Sequence, residues 1–368
     1  MPTRAIKDIR FAALDVEGLN GGVPASTQAG QPFTSPLTLF TRSHAAAPSI
    51  DPAEWRLSVT GLVDRPARFS LTDLERSFPI REVAATMICA GLRRREFLAL
   101  GPLPGELPWG AEPAGTSRWR GVSLADVLTA VGVDPAAQHV EFTGLDQVER
   151  HGHRFGFGGS VPLDKARDPD VLLAFALDGA PLPRDHGFPV RVVVPGYIGA
   201  RSVKWLAEIA VRREPSANYF QTKAYRVQRT PNPADPRDVS DGEALGSLPL
   251  NSVILTPEAE ARVTAGPVEV AGWAIGPDGE AADRVELSLD GGATWGPTRL
   301  EATGHRWTWQ LWRATAHLAP GAHQIVVRAW DRRGQTQPAL LSEVWNVKGY
   351  VNNAWHRITV LATPGPAT

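Results

Sequence analysis

The chain has 368 residues, with 38 Lys plus Arg against 39 Asp plus Glu and a formal net charge of −1. So even a balance gives no general attraction for nucleic acid or a membrane surface, and any anion binding has to come from local clusters. A single cysteine excludes an internal disulfide, a covalent c-type haem motif and a four-cysteine iron–sulfur cluster. The length points to two domains, and 35 Gly and 32 Pro spread along the chain favour many turns and short strands over long helices. No stretch approaches the ~18 apolar residues of a membrane span. The start, MPTRAIKDIRFAALDVEGLNGG, carries acids early and has no continuous apolar run, so a cytoplasmic location is expected.

In chain order, FSLTDLERSFP predicts a short helix, with Ser70 as cap, Asp73 at the third helical position and Pro79 after the end. VSLADVLTAVG predicts a second, with Ser123 as cap, Asp126 at the third position, and Leu124, Val127, Leu128 and Val131 on one face before Gly132. VLLAFAL (171–177) and PVRVVVPG (189–196) read as buried strands closed by turn residues. Residues 229–250 are rich in Pro, Asp, Gly and Ser without periodicity, as suits a surface connection. Beyond them DRVELSLDGGATW carries a hairpin signal, and RWTWQLW (306–312), HQIVVRAWD (323–331) and WHRITVLA (355–362) alternate at strand length. Trp307, Trp309 and Trp312 are expected to pack the interior of that region. The expected organisation is a mixed α+β domain over residues 1–246 and an all-β immunoglobulin-like sandwich over 247–368, without the cysteine pair of antibody domains.

Cys89 lies in ICAGLRRRE, followed within six positions by Arg93, Arg94 and Arg95. Guanidinium groups favour the thiolate, the form that attacks electrophiles or binds soft metals, although beside Met87, Ile88 and Ala90 the residue also suits a small buried hydrophobe. Four other segments gather groups suited to anions. These are LFTRSH with Arg42, Ser43 and His44; FTGLDQ with Asp146; LPRDHGFPVR with His186 and Arg191; and GYIGARSVKW with Arg201, Ser202 and Lys204. The last is neither a Walker loop nor a dinucleotide fingerprint. His151 and His153 stand two apart in a Gly-rich loop with no third ligand nearby, which favours a solvated loop over a metal site.

Together these strings resemble the sulfite oxidase family of molybdopterin enzymes: FTRSH at 40–44, ICAG followed by RR at 88–94, LPW at 107–109, GLD at 144–146, RDHGFPVRVVVPG at 184–196, GARSVKW at 199–205 and AWHR at 354–357. The resemblance implies Cys89 as thiolate ligand to molybdenum. It assigns Phe40, Thr41, Arg42, Ser43, His44, Asp146, His186, Arg191, Arg201, Ser202, Val203 and Lys204 to holding the pterin (molybdopterin) and its phosphate. A soft thiolate suits a metal that changes oxidation state, and the cofactor carries the hard chemistry.

Arg42, Arg94, Trp109, Tyr225 and Lys348 would line the pocket for an oxyanion. The implied activity is oxidation of sulfite to sulfate by oxygen-atom transfer. Where the family commonly presents an arginine this chain has Lys348, which keeps the charge and loses the planar fork. The carboxy-terminal module of such proteins supports a homodimer. The haem domain of the animal enzymes would need sequence not present here, so no haem is expected, and electrons would leave to oxygen, a separate cytochrome or another carrier. Three rival readings are reduction of another oxyanion such as nitrate at the same cofactor, a binding protein without turnover, and a cysteine hydrolase with a histidine base.

Overall fold

The computed structural model describes residues 6–228, 242–301 and 304–365. Most of the expected surface connection, residues 229–241, lies outside them.

The amino-terminal region is built on two sheets. In one, the strand order is Gly158–Pro162, His139–Gly144, Leu206–Arg212, Leu57–Gly61, Ala67–Phe69, and only Leu206–Arg212 with Leu57–Gly61 is parallel. In the other, Ala180–Pro181, Leu172–Leu177, Ala114–Ser123 and Ile80–Ile88 run side by side, and Arg191–Val193 pairs on Leu172–Leu177. One core of Leu57, Val59, Phe142, Leu173, Val192 and Ile209 joins both sheets to the helix Leu124–Val131. The two strands read as apolar runs are therefore buried for the predicted reason, although the second is only three residues long.

Both predicted helices form. Leu71–Ser77 starts with a reciprocal box: Ser70 Oγ accepts from the Asp73 amide, and the Ser70 amide donates to Asp73. At Leu124–Val131 the expected cap is corrected. Ser123 is fully buried as the last residue of its strand, and its hydroxyl has no partner. The apolar face of this helix, rather than a cap, holds it against the core.

From Asn251 onward the chain is a sandwich. One sheet is ordered Asn251–Thr256, Gly266–Ile275, Gln310–Leu318, Arg299–Glu301, and the other Arg262–Thr264, His356–Thr363, Gly321–Trp330, Arg284–Ser288, Gly296–Pro297. Val270, Trp312, Val285, Ile325, Val327 and Ile358 fill the space between them. The DGG hairpin forms, with the Asp290 carboxylate accepting from the amides of Ala293 and Thr294. The expected strand 306–312 is corrected, because it begins only at Gln310. Trp307 and Trp309 leave the sheet and pack away from the sandwich interior, Trp307 beside Met87 and Cys89, and Trp309 beside Ile88, Leu92 and Tyr225. The alternating pattern ran unbroken across this bend because both tryptophans are buried against the other half of the molecule. Among the described residues no helix is long and apolar enough to cross a membrane.

Candidate active site

Cys89 follows directly on the strand Ile80–Ile88. Its amide donates to the Pro113 carbonyl (2.9 Å), its carbonyl accepts from Leu92 (3.0 Å), and the chain then turns through Arg93 at a left-handed φ of 58°. A segment from the sandwich clamps this turn: Val351 donates its amide to the Ala90 carbonyl (2.7 Å), and Asn352 Nδ2 donates to the Arg93 carbonyl (3.1 Å). The thiol is buried, 7% exposed, and fixed from both halves of the chain.

The three arginines part company here. Arg93 is fully buried in a bidentate pair with Glu96 (2.7 Å to each oxygen) and donates to Ala354 O, which makes it a structural tie. Arg95 is exposed, bonded to Pro108 O and paired with Glu112. Arg94 turns inward onto the carbonyls of Lys348 (2.9 Å) and Leu107 (3.1 Å), and its guanidinium lies over the Tyr350 ring. A Cβ at Gly91 would stand 2.9 Å from that guanidinium, so this approach requires a glycine.

Cys89 opens into a cleft of about 760 Å³, part of it open to solvent. Phe40, Thr41, Arg42, Ser43, His44, Asp146, His186, Arg191, Ser202, Lys204 and Tyr225 line the same space. Residues expected to act together but drawn from six separate segments are thus brought to one cavity. Arg42 donates to Asn20 Oδ1 (3.0 Å) and lies 3.2 Å from His44 Nε2, which is itself 2.8 Å from the Tyr225 hydroxyl. Lys204 donates to Ser43 Oγ (2.6 Å) and Asp185 O (2.9 Å). Arg191 donates to the carbonyls of His186 and Ser202.

Burial dominates the electrostatics. It pushes Lys204 down to about 7, with Arg191 beside it acting in the same direction, and pulls Arg191 down to about 9. His44 and His186 are held well below the usual imidazole range, first by burial and then by Arg42 and Lys7 respectively, so both rings are neutral at pH 7. Tyr225 is pushed up to about 12 by burial and keeps its proton. Cations desolvated without equivalent counter-charge mark a place where an anion belongs.

Five expected residues do not line the cleft. Trp109 packs edge-on against Phe40 (centroids 6.4 Å apart), with its indole N–H unpartnered, and borders a second cleft instead. Arg94 lies behind Tyr350, and Lys348 Nζ sits 3.1 Å from Glu106. Val203 puts its side chain in the amino-terminal core. Arg201 donates to Leu245 O and Phe220 O, leaving one buried terminal nitrogen without a partner.

Several wall residues carried no sequence signal, among them Met87, Trp119 and Phe157. Lys7 Nζ, 2.9 Å from His186 Nε2, and Asn20, which accepts from Arg42 and the Ser43 amide, were equally silent because their partners lie far along the chain. His151 and His153 stay exposed, and no cluster of three or more metal-ligating residues occurs among the described residues.

A buried thiol beside desolvated cations and a neutral imidazole defines a site for a soft metal on an anionic carrier. Residues 44–220 match the oxidoreductase molybdopterin binding domain, and residues 243–363 the Mo-co oxidoreductase dimerisation domain. The chain is a molybdenum-dependent oxidoreductase, and it belongs to the sulfite oxidase family. It is 39% identical to sulfite oxidase of Gallus gallus over 348 residues, which span 92% of this chain and 75% of that one. It is 37% identical to the mitochondrial sulfite oxidase of Homo sapiens over 97% of this chain and 67% of that one. Similarity is almost as high to inducible nitrate reductase [NADH] 2 of Glycine max, 38% over 89% of this chain but only 39% of the relative's length. The sulfane dehydrogenase SoxCD of Paracoccus pantotrophus superposes with a TM-score of 0.77 and 26% identity, covering 92% of this chain and 83% of that chain.

The residues present fit the cofactor. Cys89 offers the soft donor, Lys204, Arg191 and the spare nitrogen of Arg201 offer buried donors for a phosphate and a pterin, and neutral His44 and His186 add hydrogen bonding without charge.

Proposed function

We propose that this chain oxidises sulfite to sulfate. The supporting observation is the convergence of Cys89 with the Arg42–His44–Tyr225 cluster and with Ser43, Asp146, His186, Arg191, Ser202 and Lys204 in one cleft. A molybdenum pterin bound there, with Cys89 as its protein ligand, supplies two-electron oxygen-atom chemistry. The second group would hold its phosphate and pterin ring, with Arg201 reaching from behind. Arg42 would neutralise and orient the incoming oxyanion, and Tyr225, protonated at pH 7, would donate to one of its oxygens.

Arg94, fixed by the carbonyls around it, would contribute positive potential from behind Tyr350, and Lys348 would add to it beside Glu106. Trp109 would shape the wall through Phe40. Sulfite and water become sulfate, two electrons and two protons, so a separate acceptor (oxygen, a cytochrome or another carrier) would take two electrons per turnover. The organisation proposed with this function is a cofactor-holding region over 1–246 and a sandwich over 247–368 through which two copies pair; the match of residues 243–363 supports the pairing.

Nitrate reduction is the second reading, favoured by the similarity to the soybean nitrate reductase and by Lys348, whose charge is paired with Glu106. Molybdenum-loaded protein assayed with sulfite and ferricyanide, cytochrome c or oxygen, and in parallel with nitrate and reduced viologen, separates the two. Sulfite kcat/KM should exceed that for nitrate, and the reverse order would replace the first reading by the second.

A further inference from the structure

Glu106 lies in the loop between Arg94 and Trp109 and carries none of the motifs described above. Its carboxylate is shared: Oε1 is 3.1 Å from Lys348 Nζ, and Oε2 is 3.3 Å from Arg94 Nη2. The two cations lie 254 residues apart in the chain and are also joined directly, Arg94 Nε donating to the Lys348 carbonyl (2.9 Å). The Arg94 side chain is nearly enclosed and that of Lys348 one-third exposed (5% and 33%), so the group runs from buried to open.

A chain of side-chain contacts leads from this group to the cleft. The Arg94 guanidinium covers Tyr350 (5.1 Å), Tyr350 stacks on Tyr225 (5.3 Å, 18°), and the Tyr225 hydroxyl meets His44, which meets Arg42. The negative charge of Glu106 is felt at Arg42, Tyr225 and Tyr350, so the carboxylate acts on the same space as the three cations. Were Glu106 neutral, Arg42, Arg94 and Lys348 would present three uncompensated charges to a small anion. With it, one of them is cancelled.

We propose that Glu106 is a specificity-determining residue that tunes the charge of the oxyanion the site accepts, weakening the preference of the surrounding cations for doubly over singly charged ligands. The inference rests on the reading of this cleft as an oxyanion site, and it deepens that reading by naming the charge class. The physical signature is proportion. A fixed charge acts on a dianion with twice the energy it exerts on a monoanion at the same place, so its removal should change the two affinities by a factor and by its square. A change of shape alone would not follow that rule.

The test measures binding rather than turnover. Molybdenum-loaded full-length protein is titrated with sulfate and with nitrate, without any reductant, by calorimetry at low ionic strength. Glu106→Gln should tighten nitrate about threefold and sulfate about tenfold, the size expected of a partly exposed charge, and both gains should shrink as salt is raised. Glu106→Asp, which keeps the charge, should return both affinities toward wild type.

Lys348→Met should act oppositely, weakening sulfate more than nitrate, and Glu106→Ala repeats the removal of the negative charge should Glu106→Gln fail to fold. Equal changes for the two anions, or changes below twofold for both, would overturn the proposal. A wild-type protein that shows this charge pattern but oxidises no sulfite would count against the proposed reaction and leave the role of Glu106 standing.

Discussion

The hydroxyl of Tyr225 lies 2.8 Å from Nε2 of His44, and the same nitrogen lies 3.2 Å from the guanidinium of Arg42. Three residues from two distant segments thus form one polar relay in the wall of the cleft. Tyr225 occupies a left-handed φ of 52° and is stacked on Tyr350, so its ring has little freedom to leave. Burial keeps the imidazole neutral and the phenol protonated, and in the tautomer whose Nε2–H donates to the Tyr225 oxygen the phenol proton is left for an oxyanion.

Tyr225→Phe removes that proton and little else. Sulfite kcat/KM should fall by about a hundred- to a thousandfold, the range for one hydrogen-bond donor at a developing charge. Stability should change by no more than about 1.5 kcal/mol. Steady-state kinetics and urea unfolding check both, and a variant with wild-type kcat/KM would remove Tyr225 from the oxyanion site.

The buried lysine predicts a pH dependence. Lys204 is at about 7 when folded, against 10.5 for an ordinary lysine, so between those values the unfolded chain binds a proton that the folded chain lacks. Stability of the cofactor-free protein should therefore rise with pH from about 7 toward 10, and the penalty should be fully present below about 7. Lys204→Met should flatten the slope without abolishing it, because Lys7 (about 8) and Arg191 (about 9) titrate in the same direction. Denaturant unfolding of both proteins at a series of pH values measures the slopes; equal slopes would contradict the burial argument.

Gly349 tests the clamp on Arg94. Its φ is 57°, and a Cβ there would stand 2.6 Å from Arg94 Cγ. Gly349→Ala should cost about 1–2 kcal/mol in backbone strain, with more from displacing the arginine. Weaker oxyanion binding should accompany the lower melting temperature. Unaltered stability would mean that the loop adapts.

Trp307 joins the sandwich to the wall of the cleft. Its ring fills the space that side chains at Gly196 and Gly279 would need, its N–H donates to Asp170 (2.7 Å), and its carbonyl accepts from Thr86. Trp307→Ala should lose about 3–5 kcal/mol in equilibrium unfolding. A loss under 1 kcal/mol would show that the contact between the halves is not maintained there.

Much of this was legible in the sequence, and particular residues show where legibility stopped. Phe40 through His44, Cys89, Asp146, His186, Arg191, Ser202 and Lys204 carry chemistry in recognisable strings, and they do meet in one cleft. Arg93, Arg94 and Arg95 are identical letters, and only the left-handed turn at Arg93 decides which one faces Glu96, Glu106 or solvent. The sandwich showed its period of two, but the alternation continued through Trp307 and Trp309, which cross to the other half. Ser123 had the spacing of a cap, and tertiary burial overrode it. Glu106, Lys7 and Asn20 had no local signal, since what they do depends on partners 242, 179 and 22 residues away.

The central claim is that Cys89 anchors a molybdenum cofactor at which sulfite is oxidised. Sulfite oxidation is most directly tested by assaying ferricyanide reduction by molybdenum-loaded wild type and Cys89→Ser side by side, with metal content measured in each. Two ferricyanide should be reduced per sulfate formed by the wild type, and the variant, folded to the same extent, should lose activity by about a hundredfold or more, as expected when a soft ligand is replaced by a hard one. Fully loaded wild type that forms no sulfate, or a variant that keeps most of its turnover, would contradict the account.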